Sequence, residues 1–533
     1  MKVLISLNSL LEKKYRLVEV FFFLAYLIVG LFAFKDYGIP WDDVWDRGYG
    51  LSLLNHIMNN DMMAFDHKDK YYGPVFQLIL IVGERALNLT KNSRVVYLMR
   101  HLATFLLFYL SVFFFNLICK QRFKSWKIAL LGSLMLIISP RIFAHSFYNT
   151  KDIPFLSVMI VSVYTMIRCL DKKTSSMAFV HALICALLVD IRIAGVIIPF
   201  ITILFLVLEL VKIRKAKTAL KKIIKISLVY VMFLIPLIVL FRPILWADPI
   251  YHFHEAFQLM SHFSWEGSPL ACLYMGKFID AKSVPWHYIP VWILVTTPIF
   301  YIVCFFAGCF FIMKELIRKP ITTYIYRRDD LIWLLWFFLP LLSVILLKSV
   351  LYDAWRHMFF IYPAFIMIGL VGLTFFIKYV KSKFSVKRYR GIITIIAIVA
   401  LFYQLHVLQF MIKYHPFQNV YFNRLAGRNV KEAKSKFELD YWGTSYRQGL
   451  EYLLENDKRL LIKIYAKNVP GLNNARMLNS KDRQRLVYVK NIDDADYFID
   501  NYRWHPQDYA YEEYYSIVVD QAKIMSLLRV NKK

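Results

Sequence analysis

Two adjacent carboxylates open the first long polar segment of the chain. Asp42 and Asp43 lie in residues 39–46, directly after the first apolar stretch. Neighbouring carboxylates repel each other, which raises the pKa of one of them and suits it to take a proton from a reacting hydroxyl. The same pair also fits a solvated helix cap or a cluster that keeps the loop soluble. The pattern predicts a candidate general base, with a structural role as the alternative.

Charged residues also begin or end several later apolar stretches. Lys151 and Asp152 begin one of them, Arg192 lies in a short turn between two others, and Arg356 begins a late one. A guanidinium matches the geometry of a phosphate group, and a lysine attracts an anionic head group. These charges suit an anionic lipid substrate. The alternatives are pairing with neighbouring acids, an ordinary basic rim, and snorkelling towards lipid head groups.

The composition excludes several classes of protein. The chain has 533 residues, of which 58% are hydrophobic and 19% are charged, whereas a soluble domain is about 45–50% apolar and about 25% charged. A single soluble globule, a disordered chain and a fibrous repeat are therefore excluded. The net charge of +29 is typical of basic cytoplasmic loops in a membrane protein, so we expect no nucleic-acid partner. The six cysteines form no pattern that predicts a disulfide framework or a zinc site.

Apolar windows predict an α-helical polytopic membrane protein with about eleven transmembrane helices. Lysine and arginine accumulate in alternate loops, so the N-terminus is predicted inside and the C-terminus outside. The run at residues 75–89 contains Glu84 and Arg85 and is predicted to lie in the membrane interface. The predicted spans are residues 18–34, 97–118, 127–142, 153–169, 177–190, 193–211, 225–242, 288–313, 331–350, 357–377 and 391–411.

The chain divides into a predicted membrane module, residues 1–411, and a polar tail, residues 412–533. Outer loops at residues 35–96 and 243–287 are predicted to cover one site. The charged groups are expected at its solvent-exposed outer opening. The tail has a helical pattern and several strand-like runs, which predict a small C-terminal α/β domain outside the membrane. The helical pattern covers residues 445–455, and the strand-like runs are residues 460–466, 485–490, 496–499 and 515–519.

Five short motifs occur in a characteristic order along the membrane module. They are Asp42-Asp43, the segment from Lys70 to Pro74, Asp152-Ile153-Pro154, the segment from Val284 to Tyr288, and the segment from Arg356 to Pro363. In this order and topology, over roughly residues 15–415, they resemble the membrane-embedded glycosyltransferases of the GT-C fold. The likeness is to the family 39-like enzymes, which include protein O-mannosyltransferases and aminoarabinose transferases.

The resemblance implies a GT-C-like fold and an inverting transfer of a sugar on the extracytoplasmic side. The donor would be a polyprenyl-phosphate-linked sugar, and the acceptor hydroxyl would belong to a lipid, a glycan or a protein. The protein would also contact membrane lipids. Asp42 would be the general base, Asp43 would orient it, and Asp152 would order the site. The resemblance leaves open whether a divalent metal takes part, with Asp42 and Asp152 as its candidate ligands. The implied substrate-binding residues are Lys70, Tyr72, Arg141, Lys151, Arg192, Trp286, His287, Arg356 and His357.

Two other functions fit the same pattern of spans and outward charges. A transporter or flippase for a lipid-linked sugar predicts charged residues deep within the spans and a continuous central passage. A non-catalytic assembly protein would use the C-terminal tail to bind a partner. A groove that holds Asp42 together with Arg356 favours the glycosyltransferase over the transporter.

Overall fold

The computed structural model describes residues 14–67, 69–213, 217–261 and 271–530. Parts of two predicted segments, the basic loop after residue 211 and the second outer loop, lie outside these ranges at residues 214–216 and 262–270. The described helices, numbered in chain order, are α1 Tyr15–Ala33, α2 Asp43–Asn59, α3 Val75–Ala86, α4 Ser93–Phe123, α5 Trp126–Ile137, α6 Pro140–Tyr148, α7 Asp152–Lys172, α8 Ser175–Ile191, α9 Ile197–Ile213, α10 Lys217–Phe241, α11 Pro249–Ser261, α12 Tyr288–Thr296, α13 Ile299–Arg318, α14 Pro320–Leu346, α15 Tyr362–Lys383, α16 Val386–Lys413, α17 Val430–Lys434, α18 Tyr446–Asn456, α19 Pro470–Asn473 and α20 Ser480–Gln484.

Nine helical segments in the described part of the chain are long and apolar enough to cross a membrane. They coincide with all or most of α1, α4, α7, α9, α10, α13, α14, α15 and α16. Large apolar side chains such as Phe21, Phe32 and Phe402 are exposed on them. Such exposure is unfavourable in water and favourable in lipid. The expectation of an integral, multi-pass helical membrane protein is confirmed.

The predicted count of about eleven spans includes two that are unusual in the structure. Helices α5 and α6 cover residues 127–142 as a pair bent by 69°, because Pro140 starts α6 and has no N–H to continue the ladder of α5. Helix α8 covers residues 177–190 as an apolar helix of 17 residues, which is short for a full span. Within the described residues, length and composition therefore give nine spans, or ten with the bent pair counted as one.

Proline also divides the predicted span at residues 288–313. Helix α12 ends at Thr296 and α13 begins at Ile299, with Pro298 between them. The backbone N–H of Asn423 donates to the carbonyl of Val295 (2.9 Å), and its side-chain amide donates to the carbonyls of Leu294 and Thr297 (2.6 Å each). These bonds satisfy carbonyl groups that the helix end leaves open. The polar tail is thus attached to the membrane module at this break.

The described strands are a separate hairpin of β1 Ala271–Tyr274 and β2 Lys277–Asp280, followed by β3 Ile462–Ala466, β4 Leu486–Tyr488, β5 Tyr497–Asp500, β6 Glu512–Val519 and β7 Ala522–Arg529. The last five form a mixed sheet in the C-terminal domain, with the order β4-β3-β5-β7-β6. Strand β3 pairs in parallel with β4 and β5, while β7 pairs antiparallel with β5 and β6. Leu450 and Leu453 of α18 are buried in the domain core.

The C-terminal domain rests on the segment that leads from α1 to α2. The side chain of Asn474 forms two hydrogen bonds with the backbone of Ile39. It accepts a bond from the Ile39 N–H (2.8 Å) and donates to the Ile39 carbonyl (3.0 Å). Arg447 donates to the carbonyl of Tyr37 (3.0 Å). These contacts fix the backbone just before Asp42, at the same end of the helix bundle as the domain.

Candidate active site

Arg356 lies at the centre of a cluster of carboxylates at this end of the bundle. It begins a 3₁₀ helix, Arg356–Ile361, that leads into α15. Its guanidinium contacts Asp152 (3.2 Å), Asp353 (3.2 Å) and Asp42 (3.8 Å). The residue is only 2% exposed, so three nearby carboxylates balance a buried cation. The structure therefore brings together Asp42, Asp152 and Arg356.

Asp152 is held between two guanidinium groups. It is the first residue of α7 and is buried, with Arg192 bonded to one of its oxygens and Arg356 to the other. The side-chain amide of Asn149 donates a further bond to it (2.9 Å). A carboxylate with these partners is already ionised and bonded, so it suits the ordering role expected for Asp152 better than proton transfer.

Asp42 differs from the other carboxylates of the cluster because water reaches it. It is the residue that precedes α2, and 29% of its side chain is exposed. Its closest cation is Arg356, at 3.8 Å, which is longer than a hydrogen bond. Asp42 is therefore both accessible to solvent and close to a guanidinium.

Asp43 points away from Arg356 and into the membrane module. Its Oδ1 accepts bonds from Arg100 (2.7 Å) and from the hydroxyl of Thr150 (3.2 Å), and the residue is 1% exposed. Arg100 also contacts Glu84 of α3 at 3.5 Å. This buried ion pair holds the start of α2 against α3 and α4. It therefore also fixes the position of Asp42, the residue just before α2.

Sequence reasoning missed Asp46, which forms an ion pair with the predicted residue Lys151. The two groups are 2.6 Å apart, and Lys151 also lies 3.6 Å from Asp69. Burial raises the pKa of Asp46 to about 7, against the opposing effect of Lys151. Burial lowers the pKa of Lys151, but Asp46 and Asp69 together raise it well above its ordinary value. The spacing of Asp42 and Asp46, one turn apart on a helix, was the available signal.

A cavity of about 390 Å³ lies beside the cluster. Its polar lining includes Tyr72, Arg192 and His357, and most of the remaining wall is apolar, with Phe200 and Val344 among the residues that form it. The ammonium of Lys151 lies over the Tyr72 ring, 4.5 Å from its centre. The cavity thus has Arg192 in its lining, and its largely apolar wall includes residues of α9 and α14.

Both predicted outer loops contribute to this cavity. Tyr71 of the first loop and Phe257 of the second line it. The hydroxyl of Tyr71 also contacts His252 (3.4 Å) and donates to Glu255, both in the second loop. A single roof over one site stays a prediction, but the described parts of the two loops touch at this point.

Four predicted substrate-binding residues lie apart from the cluster. The guanidinium of Arg141 is buried over the ring of Phe422 (4.8 Å), and the ammonium of Lys70 lies over the ring of Tyr71 (5.3 Å). His287 is bonded to a tyrosine hydroxyl (2.6 Å), and Trp286 is exposed and lines a different cavity. No described contact joins these side chains to Arg356, so their roles in substrate binding stay predictions.

Sequence reasoning also missed three residues around Arg356. Asp353 contacts it directly, Trp442 places its ring 4.9 Å from the guanidinium, and Arg503 pairs with Asp353 at 2.7 Å. Trp442 and Arg503 belong to the polar tail, more than 80 positions after Arg356 in the chain. Only the tertiary fold brings them to the site.

The donor set does not fit a divalent metal at Asp42 and Asp152. In the described part of the chain, no group of three or more His, Cys, Asp or Glu side chains is placed to hold a metal ion. Both oxygens of Asp152 already bond to guanidinium groups, and Asp42 faces Arg356. Arg356 supplies the positive charge between these two carboxylates, so no step below uses a metal.

The fold and the site together define an integral, multi-pass membrane protein with a cationic and acidic site at the end that carries the C-terminal domain. No protein-family model and no curated protein matches the chain. The chain is similar to ArnT from Cupriavidus metallidurans bound to undecaprenyl phosphate, at 13% identity and a TM-score of 0.45, over 95% of this chain and 97% of that chain. The apo state of ArnT gives 11% identity and a TM-score of 0.47, over 96% and 98%.

A third solved structure similar to the chain is an archaeal oligosaccharyltransferase. It is AglB from Archaeoglobus fulgidus, in complex with an inhibitory peptide and a dolichol-phosphate, at 10% identity and a TM-score of 0.46, over 88% of this chain and 64% of that chain. ArnT and AglB are glycosyltransferases of the GT-C fold, the fold expected from the sequence motifs. At these identities the likeness concerns the fold alone, and the TM-scores stay below 0.5. The activity proposed below therefore depends on the chain's own residues.

Proposed function

We propose that the protein is a glycosyltransferase that moves a sugar from a polyprenyl-phosphate donor to an acceptor hydroxyl on the extracytoplasmic side of the membrane. The observation that carries this proposal is the water-accessible carboxylate of Asp42 next to the buried guanidinium of Arg356. A base for the acceptor and a cation for the leaving group are the two charges that such a transfer needs.

The proposed reaction is a single displacement with inversion at the anomeric carbon. Asp42 takes the proton of the acceptor hydroxyl while the acceptor oxygen forms its bond to the anomeric carbon. The bond between that carbon and the phosphate oxygen breaks, and its electron pair leaves with the polyprenyl phosphate. Arg356 and Arg192 would stabilise the negative charge that develops on this phosphate, since guanidinium groups bind phosphate in a bidentate manner.

The cavity beside the cluster suits the lipid part of such a donor. Its volume of about 390 Å³ and its largely apolar lining match a short length of isoprenoid chain better than a polar substrate. Arg192, His357 and Tyr72 lie where the phosphate would enter. In this arrangement the lipid packs against α9 and α14, and the sugar faces Asp42.

The buried acids have supporting roles in the proposed site. Asp152 holds Arg192 and Arg356 at one spacing, because it bonds to both. Asp43 orients its neighbour Asp42 through its bond to Arg100. Lys151 pairs with Asp46 and, by its position over Tyr72, adds positive charge near the cavity.

The contact of Asp42 with Arg356 also bears on the transporter alternative. A transporter for a lipid-linked sugar needs a continuous passage with charges across the spans. Here the charges of the site are paired with one another at one end of the bundle, beside the C-terminal domain. This pairing favours transfer over transport.

The test uses membranes that contain the protein, incubated with polyprenyl-phosphate sugars carrying a radiolabel. The wild type is expected to move label from the lipid to a new acceptor, and Asp42→Asn is expected to lose this transfer. Asp66→Asn is the matched control, because Asp66 is an exposed carboxylate of the same loop. Label that crosses the membrane still attached to its lipid would contradict the proposal and support the transporter.

A further inference from the structure

We infer that the C-terminal domain forms part of the active site and that Asp353, Trp442 and Arg503 are positioning residues for Arg356. The inference rests on the proposed function, because it assigns these residues to the binding of the leaving phosphate. Its physical basis is a chain of bonds that begins in the C-terminal domain and ends at the Arg356 guanidinium.

Asp353 is the residue at which these bonds from the C-terminal domain meet Arg356. Its Oδ2 accepts bonds from the Arg356 Nε (3.3 Å) and Nη2 (3.2 Å) and from the indole N–H of Trp442 (3.2 Å). Its Oδ1 accepts a bond from Arg503 (2.7 Å). Asp353 is buried. Two donors from the C-terminal domain, Trp442 and Arg503, therefore hold the carboxylate that accepts both bonds from Arg356.

The backbone at Asp353 is in an uncommon conformation. Asp353 and Ala354 have φ values of 57° and 61°, in the left-handed region that residues with a side chain rarely occupy. Such a conformation persists only where surrounding contacts hold it, and it is frequent at functional sites. The bonds of Asp353 to Trp442 and Arg503 are contacts of this kind, so the C-terminal domain stabilises the turn that presents Arg356.

The Asp440-Tyr441-Trp442-Gly443 motif forms the turn that delivers Trp442. Asp440 accepts bonds from the backbone N–H of Ser445 (2.9 Å) and the hydroxyl of Thr444 (3.3 Å). Gly443 has a φ of 66°, and a Cβ there would lie 2.6 Å from Pro470, so glycine is required. This tight turn brings the Trp442 ring 4.9 Å from the Arg356 guanidinium, a cation–π distance.

Arg503 connects Asp353 to the segment that carries Asp42. Its guanidinium donates to the Tyr441 carbonyl (2.6 Å) as well as to Asp353. It also lies over the rings of Trp41 (4.8 Å) and Trp504 (4.5 Å). Trp41 is the residue before Asp42, so one side chain of the C-terminal domain touches the neighbours of both the proposed base and the proposed phosphate-binding cation.

The domain also docks through bonds outside this network. Arg447 and Asn474 attach the domain to Tyr37 and Ile39 through separate bonds. Removing Arg503 therefore leaves other docking contacts in place, while it removes a donor from the carboxylate that holds Arg356. Arg447 provides the matched control, since it is also a tail arginine that donates to the membrane module but does not touch Asp353.

The experiment measures the binding of undecaprenyl phosphate to the purified full chain in detergent, with thermal unfolding of every variant measured in parallel. Arg503→Gln is expected to weaken binding about tenfold, the effect of one lost bond to a charged group. Arg503→Lys is expected to recover part of the loss, because a lysine can still pair with Asp353. Arg447→Gln is expected to bind within about twofold of the wild type, well below that tenfold change.

A second variant keeps the test decisive if Arg503→Gln does not fold. Trp442→Phe keeps a ring against Arg356 but lacks the N–H that bonds to Asp353, and it is expected to weaken binding about three- to fivefold. Equal affinities of Arg503→Gln, Trp442→Phe and Arg447→Gln, all folded, would overturn the positioning role alone. A wild type that does not bind undecaprenyl phosphate would instead overturn the proposed function and the inference that depends on it.

Discussion

Replacement of Asp42 by asparagine separates catalysis from stability more cleanly than any other change at the site. Asparagine keeps the size of the side chain but does not accept a proton from the acceptor hydroxyl. Loss of a general base costs about 10²–10⁴ in rate, which corresponds to about 2.7–5.5 kcal/mol of transition-state stabilisation. We therefore expect Asp42→Asn to be nearly inactive in sugar transfer.

The structure predicts a much smaller effect of the same change on stability. Asp42 is partly exposed, and among the described residues its one ionic contact is with Arg356, at 3.8 Å. Partly solvated pairs of this kind contribute about 0–1 kcal/mol. Arg356 also keeps its shorter contacts with Asp152 and Asp353. The loss of activity should thus exceed the loss of stability by several-fold in free energy.

The assay compares initial rates of radiolabel transfer for wild type, Asp42→Asn and the control Asp66→Asn, each normalised to the amount of folded protein. The unfolding temperature of each purified variant gives the stability. Near-normal turnover by Asp42→Asn would refute the assignment of the base. If in addition Asp152→Asn and Arg356→Lys turned over normally, the catalytic interpretation itself would fail.

Three further outcomes are expected. Arg356→Ala should lower the unfolding temperature as well as abolish transfer, because it removes the buried cation that balances Asp152 and Asp353. Loss of one partner of a buried ion pair costs up to about 3–5 kcal/mol, and equal stability with wild type would contradict the buried ion pair. Asp46→Asn should change the pH dependence of stability: its pKa is raised to about 7, so the folded wild type binds more protons than the unfolded chain between about pH 4 and pH 7 and loses stability as the pH rises through that window. The variant should lack this loss, and an unchanged profile of unfolding temperature against pH would contradict it. A reporter fused after Lys533 that is active only in the cytoplasm should be inactive, and activity there would reverse the predicted orientation.

Most of the fold could be predicted from the sequence because lipid imposes a simple rule. Each span needs a long apolar stretch, and such stretches were visible for every span described. The details that were missed depend on tertiary context. The break at Pro298 lies within one continuous apolar run, and β7 has buried residues on both faces, so it shows no alternating pattern.

The residues of the site were predictable only where a charged residue borders an apolar stretch in the sequence. Asp42, Asp152 and Arg356 border apolar stretches, so their types and places indicated an outer site, and the structure brings them into contact. Asp353 stood three positions before Arg356, but nothing local separated it from an ordinary loop acid. Trp442 and Arg503 come from the polar tail, whose apolar runs are too short to span a membrane. Their proximity to Arg356 is a property of the fold of the tail.

The charged groups were expected to be exposed to solvent at the outer opening of the site. This expectation was wrong for all but one of the predicted carboxylates. Asp43 and Asp152 are 1% and 2% exposed, and each accepts a bond from a guanidinium. A carboxylate that already accepts such bonds is a poor base, since protonation would break them. Asp42 alone among the three has a longer contact and access to water. The buried acids therefore set the geometry of Arg356 and of the start of α2, and this leaves Asp42 as the carboxylate free to take a proton.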